Sequence, residues 1–399
     1  MNVLQINTVF KQGSTGYIVY NIHQKLLSLN HKSFAGYGRG IWQEDNLIKI
    51  SNKLDMYIHG IGTRIFDKHG LYSKKATQEF LKKIDKLDID IFHLHNIHGY
   101  YLNYPLLFEY LKNKQKPVIW TLHDCWAFTG HCSHYDYIGC DKWQNECYKC
   151  PQKSRYPASF IFDNSLENFR LKKKYFTSLD NLIIVTPSNW LANEVQKSFL
   201  AKYDIRVIYN GIDLNVFKPV KSDFRKKYNL EDKFLILGVA NVWEERKGFD
   251  YFIELSHILK SNEVIILVGL NDKQLQKLPK NIIGIKRTQN QKELVQIYSN
   301  VDVFVNPTLE DNFPTTNLES LACGTPVVTF DSGGSSETID ENCGKVVEKG
   351  DLDKLYKAIG EVKKNGKDFY RNHCIDRAKK YFDKEMMIEK YVKLYKEIV

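Results

Sequence analysis

Residues 301–330 read VDVFVNPTLEDNFPTTNLESLACGTPVVTF. VDVFVNP is a short apolar run closed by Asn306 and Pro307, the pattern of a buried strand. A polar turn follows, then a helical stretch beginning at about Thr315–Asn317, and Gly324-Thr325-Pro326 marks a break before a second apolar run. Two strands joined by a helix are parallel neighbours in one sheet. The pattern extends outward. FLILGVAN (234–241), VIILVGL (264–270) and NIIGIKR (281–287) precede it, with the helical FDYFIELSHILK (249–260) among them. The first half carries its own series: VLQINTV (3–9), IDIFHLHN (89–96), KPVIWTLHD (116–124) and NLIIVTPS (181–188), with the helix YIVYNIHQKLLSLN after the first strand. The fold expected is α/β, two Rossmann-like domains facing across a cleft, spanning residues 1–217 and 218–381. The amphipathic segment DKEMMIEKYVKLYKEIV predicts a last helix, about 382–399, crossing back to the first domain. Ligands of such sheets bind beyond the carboxyl ends of the strands.

The 399 residues suffice for two buried cores, and 43% hydrophobic with 26% charged residues excludes wholesale disorder. No apolar run reaches the ~18–20 residues that span a bilayer. MNVLQINTVF reads as a strand and not as a signal peptide, so a cytoplasmic chain is expected, peripheral at most on the inner face of the membrane. The net charge of +10 is uneven: residues 1–200 hold 25 Lys+Arg against 17 Asp+Glu. That excess points to an anionic partner on the first domain, a phosphorylated substrate or an acidic membrane surface. The lysines come in short groups without a nucleic-acid-binding motif, so no nucleic acid is expected.

Three constellations carry chemistry. Gly13-Ser14-Thr15-Gly16 opens a helix directly after the first strand, where backbone N–H groups can approach a phosphate. It is not GxGxxG, which disfavours a dinucleotide dehydrogenase. Asn241 to Gly248 (NVWEERKG) sets the basic pair Arg246-Lys247 at a strand end, suited to clamp a diphosphate. In the opening stretch, Asp311 and Glu319 are separated by seven residues; the start of the intervening helix offers N–H groups to a phosphate, and a carboxylate just inside it can accept both hydroxyls of a ribose.

Four of the eight cysteines, Cys132, Cys140, Cys147 and Cys150, lie close together. The reading preferred to free buried thiols is a structural zinc site stapling a Cys-rich insertion of the first domain, about residues 128–158, that has few apolar residues of its own. His93, His95 and His98 are read as cleft or packing histidines at a strand end in preference to a metal site.

The string EDNFPTTNLESLACGTPVV (310–328) resembles the acid-x7-acid signature of the retaining glycosyltransferases of family 4, which have the two-Rossmann GT-B fold. The resemblance extends to TPSNWL (186–191), VIYNGIDLNVFKP (207–219), ERKG (245–248) and GGSSE (333–337). DIFHLHNIHGYYLN (90–103) and WTLHDCWAFTGHC (120–132) resemble the branch that builds bacterial exopolysaccharides such as colanic acid. The resemblance implies that Glu319 holds the ribose of a nucleotide donor and that Asp311, where the family usually has Glu, lies beside the donor sugar. It makes Lys247 the diphosphate lysine and puts Asn241 where the family has an arginine, a charge that Arg246 would replace. Gly16 would abut the diphosphate, His123 would be the histidine near the donor sugar, and Pro314, Thr315 and Thr316 complete the nucleotide-binding set.

The expected function is transfer, with retention, of a hexose-type sugar from a nucleotide-diphosphate donor to a glycan or lipid-linked glycan, without a metal cofactor in catalysis. The alternatives are a catalytically degenerate nucleotide-sugar binder, which the Asn241 and Asp311 departures favour, and a sugar-nucleotide epimerase of similar architecture.

Overall fold

In the computed structural model, which describes residues 1–399, the apolar runs become the strands of two parallel sheets. The first sheet comprises β1 (Asn2–Val9), β2 (Lys32–Arg39), β3 (Leu47–Lys49), β4 (Ile91–Leu94), β5 (Val118–Thr121), β6 (Leu182–Thr186) and β7 (Asp204–Val207), in the order β3-β2-β1-β4-β5-β6-β7. Every pairing is parallel, so each return crosses over a face of the sheet, and β4 and β5 are buried along their whole length. Strand order reverses between β1 and β4. There Ile6 lies opposite Leu94, and the His95 N–H donates to the Ile6 carbonyl at 2.9 Å. The loop leaving β1 and the histidine-bearing loop leaving β4 therefore start side by side, the position at which such sheets bind ligands.

The second sheet repeats the plan with β8 (Phe234–Val239), β9 (Glu263–Val268), β10 (Ile282–Ile285), β11 (Val303–Asn306), β12 (Val327–Phe330) and β13 (Gly344–Val347), in the order β10-β9-β8-β11-β12-β13. Its reversal falls between β8 and β11. The loops leaving those strands are 240–248 and 307–314, the two stretches that carry the basic pair and the first acid. Leu235, Ile236, Leu237, Ile265, Val303 and Val327 are wholly buried between the helical layers.

The chain divides into one unit of Met1–Ile208 with Ile388–Val399 and a second of Tyr209–Met387. The change comes at 208/209 instead of 217/218 because Ile212 and Phe217 pack into the second unit's core, where the Ile212 N–H donates to the Phe382 carbonyl at 2.9 Å. The last helix, Lys384–Ile398, enters the first unit from Ile388 onward. There the Tyr395 hydroxyl meets His93 Nδ1 at 2.6 Å and the Tyr391 hydroxyl meets Thr121 Oγ1 at 3.1 Å.

Residues 122–164, between β5 and the helix Ser165–Phe176, contain only single 3-10 turns. The expectation that residues 128–158, within this stretch, are poor in apolar residues is corrected: Phe128, Tyr135 and Trp143 are buried there, and Trp126 just before them. Phe128 and Tyr135 pack on Trp143 with ring centroids 5.0 and 4.8 Å away. Lys172 anchors the stretch from below, its ammonium donating to the carbonyls of Trp126 (2.7 Å) and Thr129 (3.1 Å). Burial lowers that amine to about 7.

Candidate active site

In the second unit the basic pair and the first acid converge. Glu245–Lys247 form one tight turn after β8, and Gly248, at φ +75°, reverses the chain into the helix Phe249–Ile258. Consecutive side chains on a turn usually diverge, but here both heads reach the loop after β11. Arg246 donates from Nη1 to the Glu310 carbonyl at 3.1 Å, and the Lys247 ammonium pairs with the Asp311 carboxylate. The loops are also tied through the backbone: the Leu309 N–H donates to the Arg246 carbonyl at 2.7 Å, and the Thr308 hydroxyl to the same oxygen at 3.1 Å. Asp311 is held from the other side by the 333–337 loop, where the Gly334 N–H donates to its carbonyl at 2.9 Å. Asn241 stands exposed at the end of β8.

The helix Thr315–Ala322 begins after Pro314, in extended conformation, with no side chain capping it. The N–H groups of its first turn point out of its end, the arrangement that favours an anion. Its start is fixed from within the core: Asn317 accepts from Asn306 Nδ2 (2.8 Å) and donates to the Thr338 hydroxyl (2.8 Å). Glu319 lies on the same helix, half-buried as a residue but with its carboxyl enclosed. Burial lifts that carboxyl to about 7, against the opposing effect of the Tyr298 hydroxyl, which donates to it at 3.1 Å. Lys247, Arg246, Asp311 and the Pro314-Thr315-Thr316 turn thus fall on two loops tied to one another, and Glu319 on the helix that one of them feeds.

Gly16 and His123 belong to the first unit. Gly16 lies in the first turn of the helix Gly13–Ser28, its carbonyl accepting from the Lys11 N–H at 2.9 Å. A Cβ there would come within 3.1 Å of Val9 Cγ2, so glycine lets this helix start hug the end of β1. His123 follows β5. Its Nε2 meets His95 Nδ1 at 3.2 Å, and His95 Nε2 meets Gln5 Oε1 at 3.3 Å. The Gln5 amide is oriented by its own donation to the Val19 carbonyl at 3.1 Å. The oxygen of Gln5 can only accept, so His95 carries its proton on Nε2 and His123 donates from Nε2, with Nδ1 as its acceptor nitrogen. Burial lowers His123 to about 4, with the Asp124 charge opposing, and it is neutral at physiological pH. Next to it, burial would raise Asp124, but the charge and hydrogen bond of His98 outweigh that and hold it at about 2.

His93 is spent on packing, its two nitrogens on Tyr395 and Thr121 (2.8 Å). All eight cysteines are free thiols. Cys147 accepts from the Gly130 N–H at 3.1 Å, and Cys150 hydrogen-bonds to Cys132. No group of three or more His, Cys, Asp or Glu is arranged to hold a metal ion, so Cys132, Cys140, Cys147 and Cys150 do not form a ready four-sulfur site. Sequence reasoning missed Tyr298, Thr308, Gln5 and the pairing of His95 with His123. Only GGSSE, among the supporting segments, had shown itself as a motif.

Two family models match the chain: Glycosyltransferase Family 4 over residues 44–216 and Glycosyl transferases group 1 over residues 233–365. A putative colanic acid biosynthesis glycosyl transferase, WcaC, of Escherichia coli K12 is 24% identical over the full length of both chains. An N,N'-diacetylbacillosaminyl-diphospho-undecaprenol alpha-1,3-N-acetylgalactosaminyltransferase of Campylobacter jejuni is 28% identical over 57% of this chain and 63% of its own. Among solved structures, Anabaena HepE in complex with UDP-glucose superposes over the whole of both chains with a TM-score of 0.68 at 15% identity. Sucrose-phosphate synthase of Thermosynechococcus elongatus does so over 99% of this chain and 98% of its own, with a TM-score of 0.70 at 16% identity.

Proposed function

Because the chain belongs to the family 4 glycosyltransferases and has their GT-B fold, we propose that it transfers a sugar, with retention, from a nucleoside-diphosphate donor to a glycan or lipid-linked glycan acceptor in bacterial surface-polysaccharide synthesis. The observation that carries this reading is the convergence of Arg246 and Lys247 on the loop that leads into an uncapped helix start. Breaking the bond between the sugar and its diphosphate leaves negative charge on the departing phosphate oxygen. Two fixed cations and the N–H groups of Thr315 and Thr316 stabilise that charge as it develops, without reorganising. Glu319, on the same helix, takes the ribose hydroxyls. Asp311 acts by holding the Lys247 ammonium in place, a contact its short side chain reaches.

His123 and Gly16 act from the first unit, His123 beside the donor sugar with its tautomer set by His95 and Gln5, and Gly16 by letting the helix start approach the diphosphate. Retention follows from attack on the face that the diphosphate leaves, the departing phosphate taking the acceptor proton. The chain's own cations supply the charge stabilisation, so EDTA leaves transfer unchanged. UDP-glucose in the HepE complex and the undecaprenol-linked substrate in the Campylobacter relative's name support the donor and acceptor classes. A degenerate nucleotide-sugar binder is the second reading, favoured by the exposed, uncharged Asn241.

Thermal denaturation with UDP, GDP, ADP and CMP, each with and without EDTA, tests the donor site. A ligand at a hundred times its Kd stabilises the folded state by about 2.7 kcal/mol. One nucleoside diphosphate is expected to raise the Tm, EDTA notwithstanding, and the shift is lost in Glu319→Ala. No shift with any nucleotide at millimolar concentration would overturn the proposal.

A further inference from the structure

The helix Lys53–Phe66 is inverted relative to an ordinary surface helix. Its buried face carries His59, Gly60, Gly62 and Thr63. Its outward face carries Leu54, Tyr57, Ile58 and Ile61, spaced i, i+3, i+4, i+7, and the first three are 67%, 67% and 54% exposed. Water-facing helices of soluble domains place their apolar stripe inward. A second apolar segment extends this face: the Phe160 and Phe162 N–H groups donate to the Arg64 and Ile65 carbonyls at 2.8 and 3.1 Å. The Phe162 ring stacks on Phe66 with centroids 5.8 Å apart, and Phe160 and Ile161 are 64% and 61% exposed. Scattered exposed apolar side chains need no explanation, but a contiguous set marks an interaction surface.

The rim is basic. Lys53 and Arg64 lie at the two ends of the helix and Lys68 just beyond it, all exposed. Lys153 donates to the Ile161 carbonyl at 3.3 Å. The nearby acids are engaged inward: Asp55, in the first turn of the helix, hydrogen-bonds to Ser73, Asp67 is buried on His131, and Asp163 accepts from the Ser165 and Cys150 N–H groups. An apolar stripe with aromatic members, flanked by lysine and arginine, is the pattern of a helix lying in a membrane interface.

We propose that this face docks on an anionic lipid bilayer, with the apolar stripe of the Lys53–Phe66 helix and the 160–162 segment entering the headgroup boundary and the flanking Lys53, Arg64 and Lys68 meeting lipid phosphates. No helix of the chain is long and apolar enough to cross a membrane, so the attachment is one of lying on the surface. The inference deepens the lipid-linked-acceptor reading, on which it rests for its purpose but not for its measurement.

Flotation of the full-length protein with vesicles of phosphatidylcholine, alone or with about 30% phosphatidylglycerol, tests it. The wild type is expected to float with the anionic vesicles and to release them as salt is raised. Ile58→Glu with Ile61→Glu should weaken binding about tenfold or more, and Lys53→Glu with Lys68→Glu severalfold. These positions are exposed, so an unchanged Tm shows that the variants fold. Failure of the wild type to float, or equal flotation of the variants, overturns the proposal. So does a dimer of the wild type in light scattering that the Ile58→Glu, Ile61→Glu variant dissolves, since a second copy would then cover the face. The nucleotide-induced Tm shift, measured on the same samples, separates the two readings. Flotation without that shift sinks the transferase and leaves docking standing, and the shift without flotation does the reverse.

Discussion

Glu319 keeps its proton to about pH 7 because burial penalises its charge. The unfolded chain loses that proton near the ordinary value of 4.5. Between those values the folded state binds more protons than the unfolded one, so this group's contribution to stability falls as pH rises from about 4.5 to 7 and is level above. The full loss is about 3 kcal/mol. Glu319→Gln keeps an acceptor for the Tyr298 hydroxyl but carries no charge. It is therefore expected to match the wild type at low pH and to be more stable at pH 8 by up to about 3 kcal/mol, while binding nucleotide more weakly. Urea denaturation at pH 5 and pH 8 checks this, and equal stability at pH 8 would contradict it. The sequence showed Glu319, Lys247 and Asp311 because motif spacing survives in one dimension. It could not show Tyr298, whose partner is twenty-one residues along the chain, nor the Gln5–His95–His123 series, whose members come from the middle of β1 and from just past the ends of β4 and β5.

Gly248 decides how the basic turn meets its loop. At φ +75° a side chain is strained, and a Cβ would stand 2.1 Å from the Pro307 carbonyl oxygen, which belongs to the backbone and cannot yield alone. Gly248→Ala is expected to cost about 2 kcal/mol or more and to weaken nucleotide binding, since Arg246 and Lys247 move with the turn. Gly360, in the helix Leu352–Asn365, faces open space: a Cβ there would meet nothing within 4 Å. Gly360→Ala should therefore stabilise by about 0.5–1 kcal/mol with binding intact. Chemical denaturation with nucleotide titration checks both. Equal effects at the two glycines would refute the argument.

The strands with continuous apolar runs were legible as elements. β2 was not: KSFAGYGR alternates poorly, and its glycines are there because Gly36 and Gly38 leave room for Phe80 and Tyr101 (a Cβ would stand 2.8 and 2.5 Å from those rings). β3, three half-buried residues long, gave no signal either. The Lys53–Phe66 helix shows a different limit, since apolar periodicity reports a face without saying whether that face looks inward.

For the whole molecule, the repeat of strand order in the two sheets explains why a sequence pattern that restarts could be read as two similar domains. The change of unit was less legible because Ile212 and Phe217 look like linker residues until Phe382 and Asp383 return to meet Ile212 and Phe217 joins the second core. The last helix was legible as amphipathic, and its tyrosines then supply polar contacts to Thr121 and His93 that periodicity does not encode. The insertion was misjudged as weakly apolar because three of its rings, Phe128, Tyr135 and Trp143, each bury a large area.

The central claim is that Arg246 and Lys247 stabilise the diphosphate leaving a sugar. Its most direct test is release of nucleoside diphosphate from a panel of UDP-, GDP- and ADP-sugars, with a lipid-linked glycan extract as acceptor, by the wild type and by Lys247→Ala. One donor class should be turned over by the wild type, with kcat falling on the order of a hundredfold in Lys247→Ala. Turnover unchanged in a folded Lys247→Ala, or none from a wild type that binds nucleotide, would contradict the account.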